Sequence, residues 1–291
     1  MKRLIALLIC LMLIVPAALA EEPASFFEDA EAQKQGRITR TYDSPTLKYT
    51  VEKFLYDREI CYLTRIWVQD PARQIRKATS DWKKNVKKPQ KLAAQIEGAA
   101  LAINGSGFVS PLYPEIPDNY PGTSEDYYFT PLGSLTVTDG EVFRNLEGVS
   151  YYGLALDEDG LQMYVDEDNE KVLETGPVQT WSFYIECPVL RNNEDILPEE
   201  WPFADRHACR TVIGRIDRNN YIILTATKNH GKGITLRRAA AFFRENFNTE
   251  WVYNLDGGES SMLMSRKRDK KVMAMLHKGK ANIVDMMVFI E

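Results

Sequence analysis

Short apolar runs of four to eight residues recur along this chain, and clusters rich in Asp, Asn and Gly close most of them. Leu47–Phe54 alternates apolar and polar residues, and Cys61–Val68 follows it after Asp57-Arg58-Glu59. Ser134–Phe143 turns at Asp139-Gly140 and Tyr151–Val165 at Asp159-Gly160, while Val212–Ile216 and Tyr221–Thr225 flank Asp217-Arg218-Asn219-Asn220. A period of two interrupted by Asp-Gly pairs is the pattern of hairpins. Helical signals are fewer. Gln90–Gly98 reads as a short helix, and Thr235 can N-cap a longer one whose Leu236, Ala239, Ala240, Phe243 and Phe247 fall on one face. Ala99–Ile103, Trp251–Leu255 and Ala281–Ile290 read as further strands. The expected fold is α+β: a mixed, strand-rich sheet core carrying a few helices, in a single compact domain.

The N-terminus has a different logic. Lys2 and Arg3 precede twelve apolar residues, Leu4 to Val15, and Pro16 and Ala18-Leu19-Ala20 follow. This reads as a signal peptide, residues 1–20, removed after Ala20. The run is well short of the roughly 20 residues that span a bilayer. No stable membrane span is expected after cleavage, and the location is secreted or periplasmic. Residues 21–40 form an acidic, alanine-rich leader, and 41–291 the domain. Against 41 acidic residues the chain carries 36 Lys and Arg, a net charge of −5. That balance excludes a basic nucleic-acid-binding domain. Arg73–Lys91 is the basic exception and reads as a solvated helix and loop, with steering of an anionic substrate the rarer use. The acidic cluster Asp166, Glu167, Asp168 and Glu170 lacks the glycine and distal glutamate of a calcium loop and reads as surface.

Outside the signal peptide the cysteines are Cys61, Cys187 and Cys209, so at most one bridge can form within the mature chain. Without a Cys-x-x-Cys pair, and with His207, His230 and His277 scattered, no metal site and no cofactor are expected. A cysteine enzyme built on Cys187 or Cys209 with His207 has the right residue types but no supporting spacing.

Three segments place chemistry at strand ends. Asp256-Gly257-Gly258-Glu259-Ser260-Ser261 follows a buried strand: a carboxylate on a rigid element, two glycines that bring backbone N–H groups close to a ligand, then two hydroxyls. A plain hairpin turn is the competing reading. Asn104-Gly105-Ser106-Gly107-Phe108 has the same form, and its match to a glycosylation acceptor is weakened by the buried strand before it. Arg210, just ahead of an apolar strand, could clamp a phosphate or carboxylate, or make a structural ion pair. Pro111 to Pro131 is a long loop rich in Pro, Gly and Tyr, suited to stacking on sugar rings.

In chain order these are Asn104-Gly105 after a strand, Arg210-Thr211-Val212-Ile213-Gly214, Gly233-Ile234-Thr235-Leu236 opening a helix, and Asn254-Leu255-Asp256-Gly257-Gly258-Glu259-Ser260-Ser261. The set resembles the phosphodiester glycosidase family over about residues 95–291. Phe183–Leu190 and Val284–Phe289 resemble two further family segments. Cys187 stands where the family usually has glycine, Ser106-Gly107 replaces a Gly or Asp followed by an aromatic residue, and Glu259 replaces a third glycine. The resemblance implies a hydrolase of sugar-1-phosphodiesters or related glycosidic bonds acting on a carbohydrate or sugar-phosphate substrate. Asp256 would be the catalytic carboxylate, Arg210 the stabiliser of the departing phosphate and Glu259 a second acid or base. Asn104, Gly105, Gly257, Gly258, Ser260 and Ser261 would bind substrate. The alternative is a non-catalytic protein of the same fold that binds carbohydrate or exopolysaccharide during envelope assembly.

Overall fold

The computed structural model describes Phe27 and residues 35–109, 128–183, 187–228, 231–266 and 273–291. The expected signal peptide, most of the leader and most of the Pro111–Pro131 loop lie outside the described residues. In chain order the elements are β1 (Arg37–Asp43), β2 (Leu47–Tyr56), β3 (Glu59–Val68), α1 (Pro71–Gln74), β4 (Ile75–Thr79), α2 (Pro89–Ala93) and β5 (Ala99–Asn104). Then come β6 (Leu135–Thr138), β7 (Glu141–Asn145), β8 (Tyr151–Asp157), β9 (Gly160–Glu167), α3 (Asn169–Glu174), β10 (Gln179–Trp181), β11 (Pro188–Arg191) and β12 (Glu194–Asp195). The chain closes with α4 (Pro202–Asp205), β13 (Arg210–Arg215), β14 (Asn220–Ala226), α5 (Leu236–Asn246), β15 (Trp251–Asn254), β16 (Leu263–Arg266), β17 (Met273–His277) and β18 (Asp285–Ile290).

Three sheets form. The first has eight strands in the order β1-β2-β3-β14-β13-β15-β11-β12, the second five (β7-β6-β10-β8-β9) and the third five (β17-β16-β5-β18-β4). The strand-rich α+β fold is the expected one, in a single compact domain. The sheets are not mixed, however: every pairing between the named strands is antiparallel. Seven of these fifteen pairings join consecutive strands; the other eight join strands further apart in the chain. Where α5 carries the chain from β14 to β15, β13 lies between them, so both of its pairings stay antiparallel.

The turns follow from local chemistry. Asp57 and Arg58 both take positive φ (50° and 65°), which fits a two-residue hairpin turn and returns Glu59 to the ladder opposite Tyr56. At the β13–β14 turn the Asp217 carboxylate accepts from the N–H groups of Asn219 and Asn220. Asp168, in the acidic cluster read as surface, N-caps α3 by accepting from Glu170 N–H. Thr235 caps α5 the same way, its hydroxyl accepting from Arg238 N–H at 3.1 Å.

The central core is shared by all three sheets, with Tyr49, Ile66, Leu101, Ile103, Leu154, Trp181, Ile213, Ile223 and Phe289 among its buried members. Helix α5 covers the other face of the first sheet through Leu236, Ala239, Ala240, Phe242 and Phe243. Phe243 settles over Gly214, where a methyl group would stand only 2.9 Å from its ring. Phe243→Ala would leave a cavity there and is expected to cost about 3–5 kcal/mol, read from urea unfolding at constant m-value.

The basic stretch departs from expectation. Ile75–Thr79 is not part of a solvated helix; it is strand β4, paired along β18 from Thr79↔Asp285 to Ile75↔Phe289. Lys77 is buried there at 4% exposure. Its charge made the segment look solvated, whereas Ile75, Lys77 and Thr79 lie on one side of a strand.

Candidate active site

Strands β5 and β15 end where β13 and β18 begin, as the pairs Met286↔Asn104 and Val212↔Asn254 require. The first and third sheets are stitched there by main chain: Asp256 N–H donates to the Gly105 carbonyl (3.1 Å) and Gly105 N–H to the Asp285 carbonyl (3.2 Å). Leu255 N–H donates to Thr211 (2.9 Å) and Gly258 N–H to Cys209 (2.8 Å). Asp256 is thereby held by strands from two sheets.

Asn104 lies at the centre of this joint. Fully buried, it donates from Nδ2 to the Asp256 carbonyl at 2.7 Å. Its Oδ1 accepts from the Thr211 hydroxyl (2.7 Å) and from Met262 N–H (3.0 Å). Both ends of the amide are committed to protein partners, which suits a strut between β5, β13 and the Asp256 loop.

The Asp256 carboxylate accepts from Gly257 N–H at 2.7 Å and from the Ser260 side chain. Burial nevertheless pushes its carboxyl up from the usual carboxylate range to about 7, with Asp285 adding to the rise. Gly258 turns the chain at φ +60°, a conformation that favours glycine, and leads into a single 3₁₀ turn over Gly258–Ser260. Ser261 is buried, and its hydroxyl has no hydrogen-bond partner among the described residues. Glu259 is exposed, and its carbonyl accepts from Ala281 N–H (3.1 Å).

Arg210 begins β13 at 1% exposure. Its Nη2 donates to the carbonyls of Phe203 (3.1 Å) and Arg206 (2.7 Å), and the guanidinium lies 4.7 Å from the centre of the Phe203 ring. Its Nε has no partner among the described residues, and no carboxylate among them pairs with it. Burial lowers its pKa to about 10. A methyl group on Gly257 would stand 4.0 Å from Nη1, so the cation adjoins the Asp256-Gly257 turn. Asn104, Arg210 and Asp256 therefore lie around the same turn.

Three residues of this region carried no role in the sequence reading. Asp285 is fully buried and accepts from Ser106 N–H at 2.6 Å. Lys77 stands 3.9 Å from its other oxygen, and Trp181 lies beside Gly105. A methyl group on Gly105 would overlap the Asp285 carboxylate and stand 2.8 Å from Trp181, so this glycine is required by close approach. The available signal was one charged residue opening an otherwise apolar final strand. Cys61, Cys187 and Cys209 are buried free thiols. Cys187 accepts from Asn254 Nδ2 at 3.5 Å, burial raises the Cys209 thiol, and His207 Nδ1 lies 2.8 Å from the Gly233 carbonyl. Among the described residues no three His, Cys, Asp or Glu side chains could share a metal ion, and no helix is long and apolar enough to cross a membrane.

The family model for phosphodiester glycosidase matches residues 97–290. The chain is similar in fold to the structure titled zebrafish N-acetylglucosamine-1-phosphodiester alpha-N-acetylglucosaminidase catalytic domain, auto-inhibited by pro-peptide. That match has a TM-score of 0.61 at 19% identity, covering 86% of this chain and 85% of that one. It is also similar to a hypothetical protein from Synechocystis, with a TM-score of 0.58 at 12% identity, covering 89% of this chain and 64% of that one. No curated protein matches the sequence.

Proposed function

Because the chain belongs to the phosphodiester glycosidase family, we propose that it hydrolyses the bond between a sugar's anomeric carbon and a phosphodiester oxygen, outside the cytoplasm. The observation that carries this reading is Arg210, a desolvated cation with no carboxylate partner among the described residues, set against the turn that bears Asp256. A buried charge in that state is costly, and a substrate phosphate would offset the cost.

The chemistry follows from the two groups. As the bond from C1 to the phosphodiester oxygen breaks, its electron pair leaves with the phosphate monoester and positive charge develops on the sugar. The ionised Asp256 carboxylate opposes that charge at C1. Arg210 stabilises the negative charge arriving on the phosphate, an interaction stronger in the transition state than before it. Water adds to C1 and releases a proton. A phosphate monoester leaves well, so little proton donation to it is needed. Asn104 acts by holding the Asp256 main chain, Gly105 by letting the turn lie against Asp285, and Gly257 and Gly258 by keeping the turn open. Ser260 orients the Asp256 carboxylate, and Ser261 and the exposed Glu259 border the same turn.

The decisive experiment incubates residues 21–291 with sugar-1-phosphodiesters, beginning with N-acetylglucosaminyl-1-phosphodiesters, and measures released sugar. Sugar released at a rate dependent on Asp256 supports hydrolysis. Binding detected by calorimetry without any sugar release would instead establish the carbohydrate-binding alternative. Since the reaction uses ionised Asp256, kcat/KM is expected to rise with pH through a midpoint near 7 and then level off. A rate that falls through that midpoint would make the protonated acid the active form.

A further inference from the structure

The third sheet buries an ion pair between Lys77 and Asp285. On β4 the Lys77 ammonium is fully buried, donates to the Val137 carbonyl at 3.2 Å and lies 5.3 Å and 5.6 Å from the ring centres of Trp181 and Trp82. It faces Asp285 Oδ2 at 3.9 Å. That oxygen has no hydrogen-bond partner among the described residues, while Oδ1 is held by Ser106 N–H. Burying both ions costs several kcal/mol each, and apolar residues of similar volume commonly stabilise a fold as well or better.

Its position gives the pair a use. Asp285, Gly105 and Asp256 follow one another along two main-chain hydrogen bonds, and the Asp285 carboxylate fills the space that a side chain on Gly105 would take. We propose that Lys77 and Asp285 form a positioning pair for the active site: Asp285 fixes the Asn104–Ser106 turn against Asp256 and disfavours a second negative charge there, and Lys77 keeps Asp285 ionised. The inference rests on the reading of Asp256 as the site's carboxylate.

The surrounding charges set the expected direction. Asp256 is faced by Gly257 N–H and the Ser260 side chain, which favour its anion, and by Asp285, which opposes it; Arg210 adjoins the same turn. Burial raises the Asp285 carboxyl, and Lys77 and then Ser106 act against that rise in favour of its anion. Lys77 is brought down to about 8 by burial, against Asp285 and the more distant Asp139. The buried Tyr151 phenol also senses Asp285.

The test follows the Asp256 carboxyl directly by ¹³C NMR titration, assigned with Asp256→Asn, alongside kcat/KM against pH. Asp285→Asn keeps an oxygen for Ser106 N–H but removes the charge, so the Asp256 midpoint should fall by about half a pH unit or more. Lys77→Met/Asp285→Asn removes both ions. It should recover melting temperature lost in the single variant, keep the lowered midpoint, and supply the measurement if the single variant does not fold. An unchanged Asp256 midpoint in the folded double variant, with only melting temperature altered, would overturn the proposal. The two readings separate cleanly. A lowered midpoint with full turnover in Asp256→Asn removes Asp256 from the chemistry and leaves the pair. An unmoved midpoint with an inactive Asp256→Asn removes the pair and leaves the chemistry.

Discussion

Replacing Asp256 by asparagine is expected to lower kcat by roughly 10²-fold or more, the scale of a positioned acid or base. The amide oxygen can still accept from Gly257 N–H, so the turn should persist. Stability should change with pH in a defined sense. Burial raises the folded carboxyl to about 7, while the unfolded chain ionises near its ordinary value of 3.8. Between those values the folded protein binds the proton that the unfolded chain has released, so wild-type stability falls as pH rises. Asparagine carries no such penalty. The melting temperature of Asp256→Asn should match wild type below pH 3.8 and exceed it increasingly up to about pH 7. Turnover and melting curves on one preparation check both parts. Near-wild-type turnover in the folded variant would exclude Asp256 from the reaction and make Glu259 the next carboxylate to replace.

Arg210→Met should reduce kcat by about 10²- to 10³-fold, comparable to loss of one preorganised donor for developing charge. Its stability effect should be small, because two opposing terms meet at this side chain. The variant leaves the Phe203 and Arg206 carbonyls without their Nη2 donor, yet it also removes a buried cation with no carboxylate partner among the described residues. Inorganic phosphate provides a readout separate from turnover: it should raise the melting temperature of wild type and leave Arg210→Met unmoved. Equal phosphate stabilisation of both proteins would place the anion site elsewhere. A folded variant with unchanged kcat would show that Arg210 serves only as a structural tie to the Phe203–Arg206 segment.

How much of this could be read from the chain differs from element to element. The β2–β3, β6–β7, β8–β9 and β13–β14 hairpins were legible because alternation and turn chemistry act over a few residues. Helix α5 was legible because its cap and apolar stripe are equally local. The residues at Asn104, Arg210 and Asp256 could be picked out because each adjoins an apolar run. Their different tasks could not. Asn104 looked like a ligand for substrate, and the fold commits both ends of its amide to Thr211, Met262 and the Asp256 main chain. Glu259 looked equivalent to Asp256 as a carboxylate, but it is exposed, while Asp256 is half-buried and its carboxyl is raised by burial.

The antiparallel order of the three sheets and the interior place of Lys77 and Asp285 were set by pairings between distant segments. Strand β4 meets β18 across some two hundred residues of sequence, from Thr79↔Asp285 to Ile75↔Phe289. A lysine on a strand reads as solvated until the face it occupies is known, and that face depends on which strand lies beside it. Sequence by itself determined the strand-rich fold, the turns and the family, since these rest on local periodicity, backbone preference and the order of short motifs. Only the tertiary structure decided which polar groups lose their water. Desolvation depends on what the rest of the chain packs against each side chain, and it is desolvation that raises Asp256, lowers Arg210 and sets the cost of enclosing the Lys77–Asp285 pair.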